Sequence, residues 1–370
     1  MTSSAANPYR YRARGKHLVS VDQGLLQAVL NLVVRYSVNG LASLGLSRRN
    51  SLQLLKTVAR PGKRHDAPGP VESYPVFGHI AMRVHRGYKF FDFNQGVVTK
   101  LFNCNGETDK AAAEVAASRT ASAISAAPRF IAADEDLRWF SEELIRGRHA
   151  TSLVSRASSD YLKYYGDIEE CLVELALSQD PIRVRVDDHV GRVSSYEFQG
   201  RWKKAGCASS DIARVTDYIE RVGGLLHAHC GAMEVELVPT HGDFSLVNAI
   251  LTKQGLRFID WEGIGPGILY SDLYNLMFAE RYYGRTSANF VAEVQAILRQ
   301  FREAISRRAP VLRQVAHQDE DVLRRLYYLE RVRLLVDREV TENLVRVVTK
   351  SIGVFDEFDS LSGKLGGVNA

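Results

Sequence analysis

The chain has 370 residues, of which 45% are hydrophobic and 25% are charged. These proportions are those of a globular protein, and the length suits two or three structural units. The cysteines are far apart and include no CxxC pair, which argues against a disulfide framework or a zinc site. A reducing, cytoplasmic setting is therefore expected for the four thiols, Cys104, Cys171, Cys207 and Cys230.

The net charge of +5 is concentrated near the N-terminus. Residues 1–70 carry eleven Lys or Arg against two Asp or Glu, a balance of +9, and the other 300 residues have a balance of −4. We therefore treat residues 1–70 as a basic N-terminal extension and linker. A poorly ordered, solubilising arm is expected over residues 1–16, and peripheral contact with an anionic membrane surface is the alternative.

The extension shows neither a secretory signal nor a spanning segment. Met1–Ala6 is small and polar, and Leu25–Val34 is shorter than the ~18 apolar residues that a transmembrane helix needs. One face of a helix there would be apolar, and we expect it to dock on the main body, with a membrane surface as the alternative. Residues 60–70 are rich in Pro and Gly and read as a linker.

The next segment, residues 71–147, predicts a small lobe of mixed strands and helix. Asn94-Gln95-Gly96 is a strong hairpin turn between two alternating segments. One Ala- and Ser-rich helix, Asp109–Ala126, follows the third strand. Five antiparallel strands with this helix form a compact α+β lobe. The predicted strands are Val76–Val84, Lys89–Phe93, Val97–Phe102, Arg129–Ala132 and Leu137–Leu144.

Residues 148–370 predict a mainly helical unit. A short hairpin, Ala249–Leu251 with Leu256–Ile259, interrupts the helical pattern. The basic residues around Trp202 are interpreted as a solvated charged loop, so no nucleic-acid partner is expected. The predicted helical segments are Tyr161–Leu177, Ser210–His229, Ala288–Arg307 and Glu320–Val348.

Two short motifs carry the chemistry. His241-Gly242-Asp243 is followed by Asn248, and the hairpin then leads to Ile259-Asp260-Trp261-Glu262. Phosphoryl transfer needs a carboxylate that orients the attacking hydroxyl and metal ions that bridge the phosphates. Asp243 suits the first task, and Asn248 with Asp260 suits the second, since Mg²⁺ prefers hard oxygen ligands. Turn formation or helix capping explains any one of these residues but not their combination.

Thr240–Asn275 resembles the catalytic core of the aminoglycoside phosphotransferase and choline kinase superfamily. That superfamily has the two-lobed protein-kinase-like fold, with a five-stranded antiparallel N-lobe and a mainly helical C-lobe. The resemblance implies that Asp243 is the catalytic base and that Asn248 and Asp260 bind magnesium. It also implies that Asp272 supports the metal loop from a helix.

The same resemblance implies an ATP site in residues 71–147. Lys100 matches the third-strand lysine that contacts the α- and β-phosphates, and Glu114 matches its ion-pair partner, with Glu107 as a rival. No GxGxxG sequence is present, so the turn at His85–Gly87 would cover the phosphates, with Arg86 helping.

The hinge between the lobes is expected at Ser141–Gly147. The resemblance implies that backbone groups near Glu143, Leu144 and Ile145 bind adenine there. A strand end followed by a turn is the alternative interpretation.

The sequence therefore predicts an ATP- and Mg²⁺-dependent phosphotransferase that modifies a hydroxyl of a small molecule. A sugar or glycan, an aminoglycoside-like compound or an amino alcohol are the candidate acceptors. A choline-like amine would need an aromatic or acidic cage. Gly242 in place of Arg argues against a protein kinase, and a non-catalytic nucleotide- or partner-binding module is the alternative function. The tyrosines available for a cage are Tyr270, Tyr274, Tyr282 and Tyr283.

Overall fold

A computed structural model describes residues 9–14, 17–20, 71–84, 86–103, 108–155, 158–194, 198–282, 290–337 and 342–366. The chain divides into two compact units. The first unit runs to Leu153 and adds Tyr161–Asp167 and Leu246–Gly263. The second unit comprises Val154–Asp160, Ile168–Ser245 and Ile264 onward. Each unit is described by itself below.

An antiparallel sheet of eight strands dominates the first unit, in the order β3-β1-β2-β4-β5-β6-β8-β7. The five predicted strands are adjacent in this sheet, as β4-β5-β6-β8-β7, and are confirmed. The strands are β1 (Tyr9–Arg14), β2 (His17–Ser20), β3 (Val71–Tyr74), β4 (Ile80–Val84), β5 (Gly87–Asp92), β6 (Val97–Phe102), β7 (Phe130–Ala133) and β8 (Trp139–Glu143).

Three strands, β1 to β3, extend the sheet beyond the predicted five. The expectation of a poorly ordered arm over residues 1–16 is wrong for Tyr9–Arg14, which pairs with both β2 and β3. Tyr and Arg alternate along this segment, and such alternation with a β-favouring aromatic residue is a strand signal that its charge obscured. The predicted helix Leu25–Val34 and the linker at 60–70 lie outside the described residues.

Helix α1 (Thr108–Ala121) packs against this sheet and is shorter than the predicted Asp109–Ala126. The chain turns after Ala121, and the Ser122 hydroxyl accepts a hydrogen bond from the Phe130 N–H at 2.9 Å. Serine competes for backbone groups in this way at helix ends. That bond leads the chain directly into β7.

The predicted hairpin is present in the first unit as β14 (Ala249–Thr252) and β15 (Gly255–Phe258). A two-residue strand, β9 (Arg148–His149), adds to its β14 edge. A Cβ on Gly147 would collide with the backbone of Leu251, so the close approach of these strands requires glycine there. This small sheet holds the residues on either side of the hairpin in place.

Helices dominate the second unit. They are α2 (Tyr165–Ala176), which begins in the first unit, then α3 (Val186–Ser194), α4 (Gln199–Lys204), α5 (Ser209–Cys230), α6 (Ser271–Tyr282), α7 (Phe290–Arg308), α8 (Arg313–Ala316), α9 (Glu320–Val336) and α10 (Glu342–Gly366).

The shorter elements are distributed over both units. Short 3-10 turns span Ala150–Leu153, Asp160–Tyr164, Leu246–Asn248, Trp261–Gly263 and Pro310–Leu312. The remaining strands are β10 (Val154–Ser155), β11 (Ser158–Ser159), β12 (Ile182–Arg185), β13 (Glu234–Thr240) and β16 (Gly265–Gly267).

Two predictions for this unit need correction. Glu320–Val348 is two helices rather than one segment, because α9 ends at Val336 and α10 begins at Glu342. No Gly or Pro lies between them, so no residue there marks the end of a helix in the sequence. The expected charged loop at Trp202 is helix α4, with the indole fully buried against Phe198.

Within the described part of the chain, no helix combines the length and apolarity needed to cross a membrane.

Candidate active site

A buried lysine is the centre of a charge cluster in the first unit. Lys100 lies on β6, and its ammonium group contacts the carboxylate of Glu114 on α1. The same ammonium is 2.7 Å from Oε2 of Glu262. Arg86 Nη1 donates to the other oxygen of Glu114 at 2.8 Å. Both Lys100 and Glu114 are almost fully buried, so each charge depends on the other. Glu107, the rival partner, lies outside the described residues.

A second lysine, which the sequence interpretation missed, faces the predicted metal-binding carboxylate. Lys89 on β5 lies directly across from Lys100 on β6. Its Nζ donates to Oδ1 of Asp260 at 2.9 Å. The hairpin turn fixes the register of these strands, so a cross-strand reading would have placed Lys89 beside Lys100.

The electrostatics favour the charged form of Lys89. Burial alone would lower the pKa of Lys89, but the Asp260 carboxylate, helped by Glu142, raises it above its ordinary value. Desolvation raises the pKa of Glu142, while the charge of Lys89 opposes that shift. Asp260 itself has a left-handed backbone with φ of 69°, a conformation that Asp tolerates better than most residues and that is often found at functional sites.

A cavity of about 260 Å³ lies in the same unit. It brings together five of the predicted site residues, at the hinge and at the metal site. Its apolar lining comes from β4, β5, β6 and the hinge, and its polar groups include Lys89 and Glu142. The predicted residues that line it are Glu143, Leu144, Ile145, Asn248 and Asp260.

The hinge backbone is partly engaged already. The Glu143 N–H donates to the Arg129 carbonyl at 2.9 Å, and the Leu144 N–H donates to the Gly96 carbonyl at 2.8 Å. Of the three predicted hinge residues, Ile145 has no such backbone N–H bond among the described residues, and it lines the cavity.

Asn248 and Asp260 are neighbours because of the hairpin. Asn248 is buried and ends a short 3-10 turn, Leu246–Asn248. Its carbonyl accepts the Ile259 N–H at 2.8 Å, one residue before Asp260. The hairpin therefore closes on the amide and the carboxylate that the sequence predicted as metal ligands.

Asn248 and Asp260 suit magnesium, which needs few protein ligands, better than a metal ion whose ligands all come from the protein. Among the described residues, no three His, Cys, Asp or Glu side chains form a metal-binding group. Magnesium commonly uses one or two protein ligands and completes its shell with phosphates and water. An ammonium group already contacts Asp260, which shows that this carboxylate accepts a cation.

In the second unit, a buried carboxylate fixes the loop that carries Asp243. Asp272, in the first turn of α6, accepts the N–H of His241 at 2.7 Å and that of Gly242 at 3.2 Å. Gly242 has a φ of +79°, which favours glycine. Burial raises the pKa of Asp272, and His241 and the two N–H groups oppose that shift. The resemblance to the superfamily implied that Asp272 supports the loop that binds the metal. The two bonds of Asp272 support the loop that carries Asp243 instead.

Asp243 itself is partly open to solvent, with 40% of its side chain exposed. Its Oδ1 lies 3.4 Å and 3.5 Å from the two terminal nitrogens of Arg331 on α9. Asp243, Asp272 and Arg331 thus form one group in the second unit. The other predicted site residues belong to the first unit.

The prediction of an aromatic cage for an amine is wrong for Tyr270 and Tyr274, two of the four tyrosines named for it. Tyr270 and Tyr274 have 0% exposure and pack in an aromatic core with Phe278 and Phe301. The Tyr270 hydroxyl donates to the Ala316 carbonyl at 2.6 Å. The side chain of Tyr282 and all of Tyr283 lie outside the described residues.

Comparison with known proteins supports the fold and the class. A choline kinase from Cryptosporidium parvum Iowa II matches with a TM-score of 0.52 at 11% identity, covering 78% of this chain and 87% of that one. The choline kinase LicA from Streptococcus pneumoniae matches with a TM-score of 0.44 at 13% identity, covering 73% and 90%. An ADP-bound aminoglycoside phosphotransferase matches with a TM-score of 0.45 at 16% identity, covering 75% and 93%. No curated protein sequence matches.

The fold is the two-lobed protein-kinase-like fold, and the class of protein is a phosphotransferase. The profile of the phosphotransferase enzyme family matches residues 88–311, more than half of the chain. The chain belongs to that family. The resemblance seen in Thr240–Asn275 is thereby confirmed, while the roles of individual residues remain predictions.

Replacing Asp272 tests the support of the Asp243 loop. Asp272→Ala leaves one buried and one partly buried N–H group without an acceptor, at a cost of about 1–3 kcal/mol for a fully buried group and less for the other. We expect a clear drop in the urea midpoint of unfolding and loss of turnover. Asp180→Asn, at an exposed position of the same unit, is the control and should change neither. An unchanged midpoint for Asp272→Ala would contradict the role assigned to these bonds.

Proposed function

We propose that the chain is an ATP- and Mg²⁺-dependent phosphotransferase that moves the γ-phosphate to a hydroxyl of a small molecule. The observation that carries the proposal is the Asp243 loop. Two of its backbone N–H groups are fixed by a buried carboxylate, while the Asp243 side chain remains partly exposed. A base that must reach a substrate needs this combination of a rigid backbone and an accessible carboxylate.

The nucleotide would use the first unit. The cavity offers an apolar lining for adenine and the Ile145 N–H as a hinge donor. Lys100, Lys89 and Arg86 supply three cations for the phosphates. Each of these cations has a carboxylate partner that limits its movement.

Asn248 and Asp260 would hold magnesium. The ion neutralises phosphate charge when it is bound. Asp260 would then exchange the ammonium of Lys89 for the metal, which frees Lys89 to meet the nucleotide.

In the reaction, Asp243 accepts the proton of the acceptor hydroxyl. The hydroxyl oxygen forms a bond to the γ-phosphorus, and the bond from that phosphorus to the β–γ bridging oxygen breaks. The products are the phosphorylated acceptor and ADP. The partial exposure of Asp243 leaves its carboxylate accessible to the acceptor hydroxyl.

The acceptor is proposed to be a sugar or glycan, an aminoglycoside-like compound or an amino alcohol. Structural neighbours are named as choline, ethanolamine, glucosamine and aminoglycoside kinases, which illustrates the range. Burial of Tyr270 and Tyr274 weakens the case for a choline-like amine, since a cage must present aromatic faces to its ligand.

Removing the proposed base tests the assignment. Asp243→Asn keeps the size of the side chain but cannot take the proton, so turnover should fall by about 10²–10⁴-fold. The affinity for MgADP, measured by calorimetry, should change by less than about threefold, well under the ~1.4 kcal/mol that a tenfold change represents. Asp180→Asn serves again as the matched control. Turnover close to wild type in Asp243→Asn would remove Asp243 from the mechanism, and tight MgATP binding by the wild type without transfer would favour a binding module.

Removing the carboxylate at the metal site tests the magnesium role without measuring turnover. Wild-type protein should bind ATP at least tenfold more tightly with Mg²⁺ than with EDTA. In Asp260→Asn this difference should shrink to about twofold or less, because a neutral amide is a poorer ligand than a carboxylate for a hard cation.

Asp136→Asn, with 78% of its side chain exposed in the same unit, is the control and should keep the full magnesium effect. A full magnesium effect in Asp260→Asn would mean that another group binds the metal.

A further inference from the structure

Arg331 is a nearly buried cation whose donors are poorly used. Its side chain is 11% exposed, and its recorded partner is Oδ1 of Asp243, at 3.4 Å and 3.5 Å. Bonds between a guanidinium and a carboxylate are usually about 2.7–2.9 Å long. The Arg331 Nε is buried and has no hydrogen-bond partner among the described residues. A guanidinium has five N–H donors, and one distant oxygen does not satisfy them.

Another arginine on the same helix shows what a satisfied guanidinium looks like in this fold. Arg324 donates to Asp321 at 2.6 Å and to Asp359 at 3.1 Å. The carboxylate next to Arg331 in sequence does not serve it, since Glu330 contacts His189 at 2.8 Å. Arg325 on the same helix also has a buried Nε without a partner among the described residues, so what distinguishes Arg331 is that its long contacts are made to Asp243.

The chemistry at Asp243 explains what such a cation is for. A carboxylate base and a phosphate group are both anions, and they repel each other when they approach within a few ångströms. A guanidinium between them offsets that repulsion and offers a planar fork that matches two phosphate oxygens. Arg331 lies against the base and retains unused donors, as this task requires.

We propose that Arg331 binds a phosphate-type oxyanion next to Asp243. The inference rests on the proposed function, in which Asp243 faces the acceptor hydroxyl. The oxyanion has two possible sources, which are the phosphoryl group in transfer and an anionic group carried by the acceptor. Either source requires the same contact between the oxyanion and the Arg331 guanidinium. An acceptor that places an ammonium group beside Arg331 is disfavoured, because like charges in a confined site repel.

The test compares three variants of the full chain. Arg331→Gln removes the charge and most donors, and Arg331→Lys keeps the charge but loses the fork. Arg299→Gln, at an exposed position on α7 of the same unit, is the matched control. Thermal unfolding and MgADP affinity are measured first, so that a folding defect or a lost nucleotide site is recognised before the oxyanion is examined.

The first readout is binding of orthovanadate to the MgADP complex, where vanadate imitates the phosphoryl group in transfer. If that group is the ligand, Arg331→Gln weakens vanadate binding at least tenfold. Arg331→Lys should then be intermediate, and Arg299→Gln should match the wild type.

The second readout compares glycerol 3-phosphate with glycerol as acceptors, from the ratio of their kcat/KM values. If the acceptor carries the anion, the wild type prefers glycerol 3-phosphate at least tenfold. Arg331→Gln then loses that preference, while its vanadate affinity falls less than threefold.

The inference is overturned if Arg331→Gln changes neither the vanadate affinity nor the acceptor ratio. It is also overturned if the only effect is a lower unfolding temperature, since Arg331 would then be a structural residue. A wild-type protein that binds MgADP but shows neither oxyanion effect defeats this inference alone. A wild-type protein that binds neither MgADP nor MgATP defeats the proposed function as well.

Discussion

A buried ammonium group is stable only where carboxylates meet it, and this constraint organises the first unit. Lys100 lies within an antiparallel sheet, and Glu114 must reach it from α1. That helix is rich in Ala and buries few large side chains, so it has no broad apolar stripe to fix its rotation. The ion pair between Lys100 and Glu114 fixes the rotation of the helix instead, and Arg86 is a second cation at the same carboxylate. Removing Glu114 would therefore leave a buried ammonium with one carboxylate fewer and would loosen the position of the helix.

Pairing of a carboxylate with a cation also occurs at the proposed metal site and at the proposed base, with different geometry. Lys89 and Asp260 form a short, well-made pair, and the carboxylate has a cation before any metal arrives. Asp243 and Arg331 form a long one, with donors left over. The first arrangement suits a carboxylate that exchanges one cation for another. The second suits a base whose cation also has to bind an anion.

Much of the fold follows from local signals. The hairpin turn at 94–96, the alternating strands and the helical periodicity predicted the five-stranded lobe and the helical unit, and the structure confirms both. The errors lie where local signals are weak or conflict. Tyr9–Arg14 was judged by its charge rather than by its alternation, and the helix break after Val336 has no Gly or Pro to mark it.

The sequence predicted fewer features of the candidate site than of the fold. Motif spacing located Asp243, Asn248 and Asp260, because these residues lie in one short stretch. Arg331 is 88 residues from Asp243 on a helix with several arginines, so only tertiary packing distinguishes it. Burial of Tyr270 and Tyr274 is likewise a property of the packed core and not of their spacing.

The most direct test of the account is an acceptor screen with ATP labelled at the γ-phosphate, with mass detection of the products. We expect the labelled phosphate on a hydroxyl of a small molecule, in a reaction that needs Mg²⁺ and that is lost in Asp243→Asn. Label on protein, or transfer that proceeds equally well in Asp243→Asn, would contradict it.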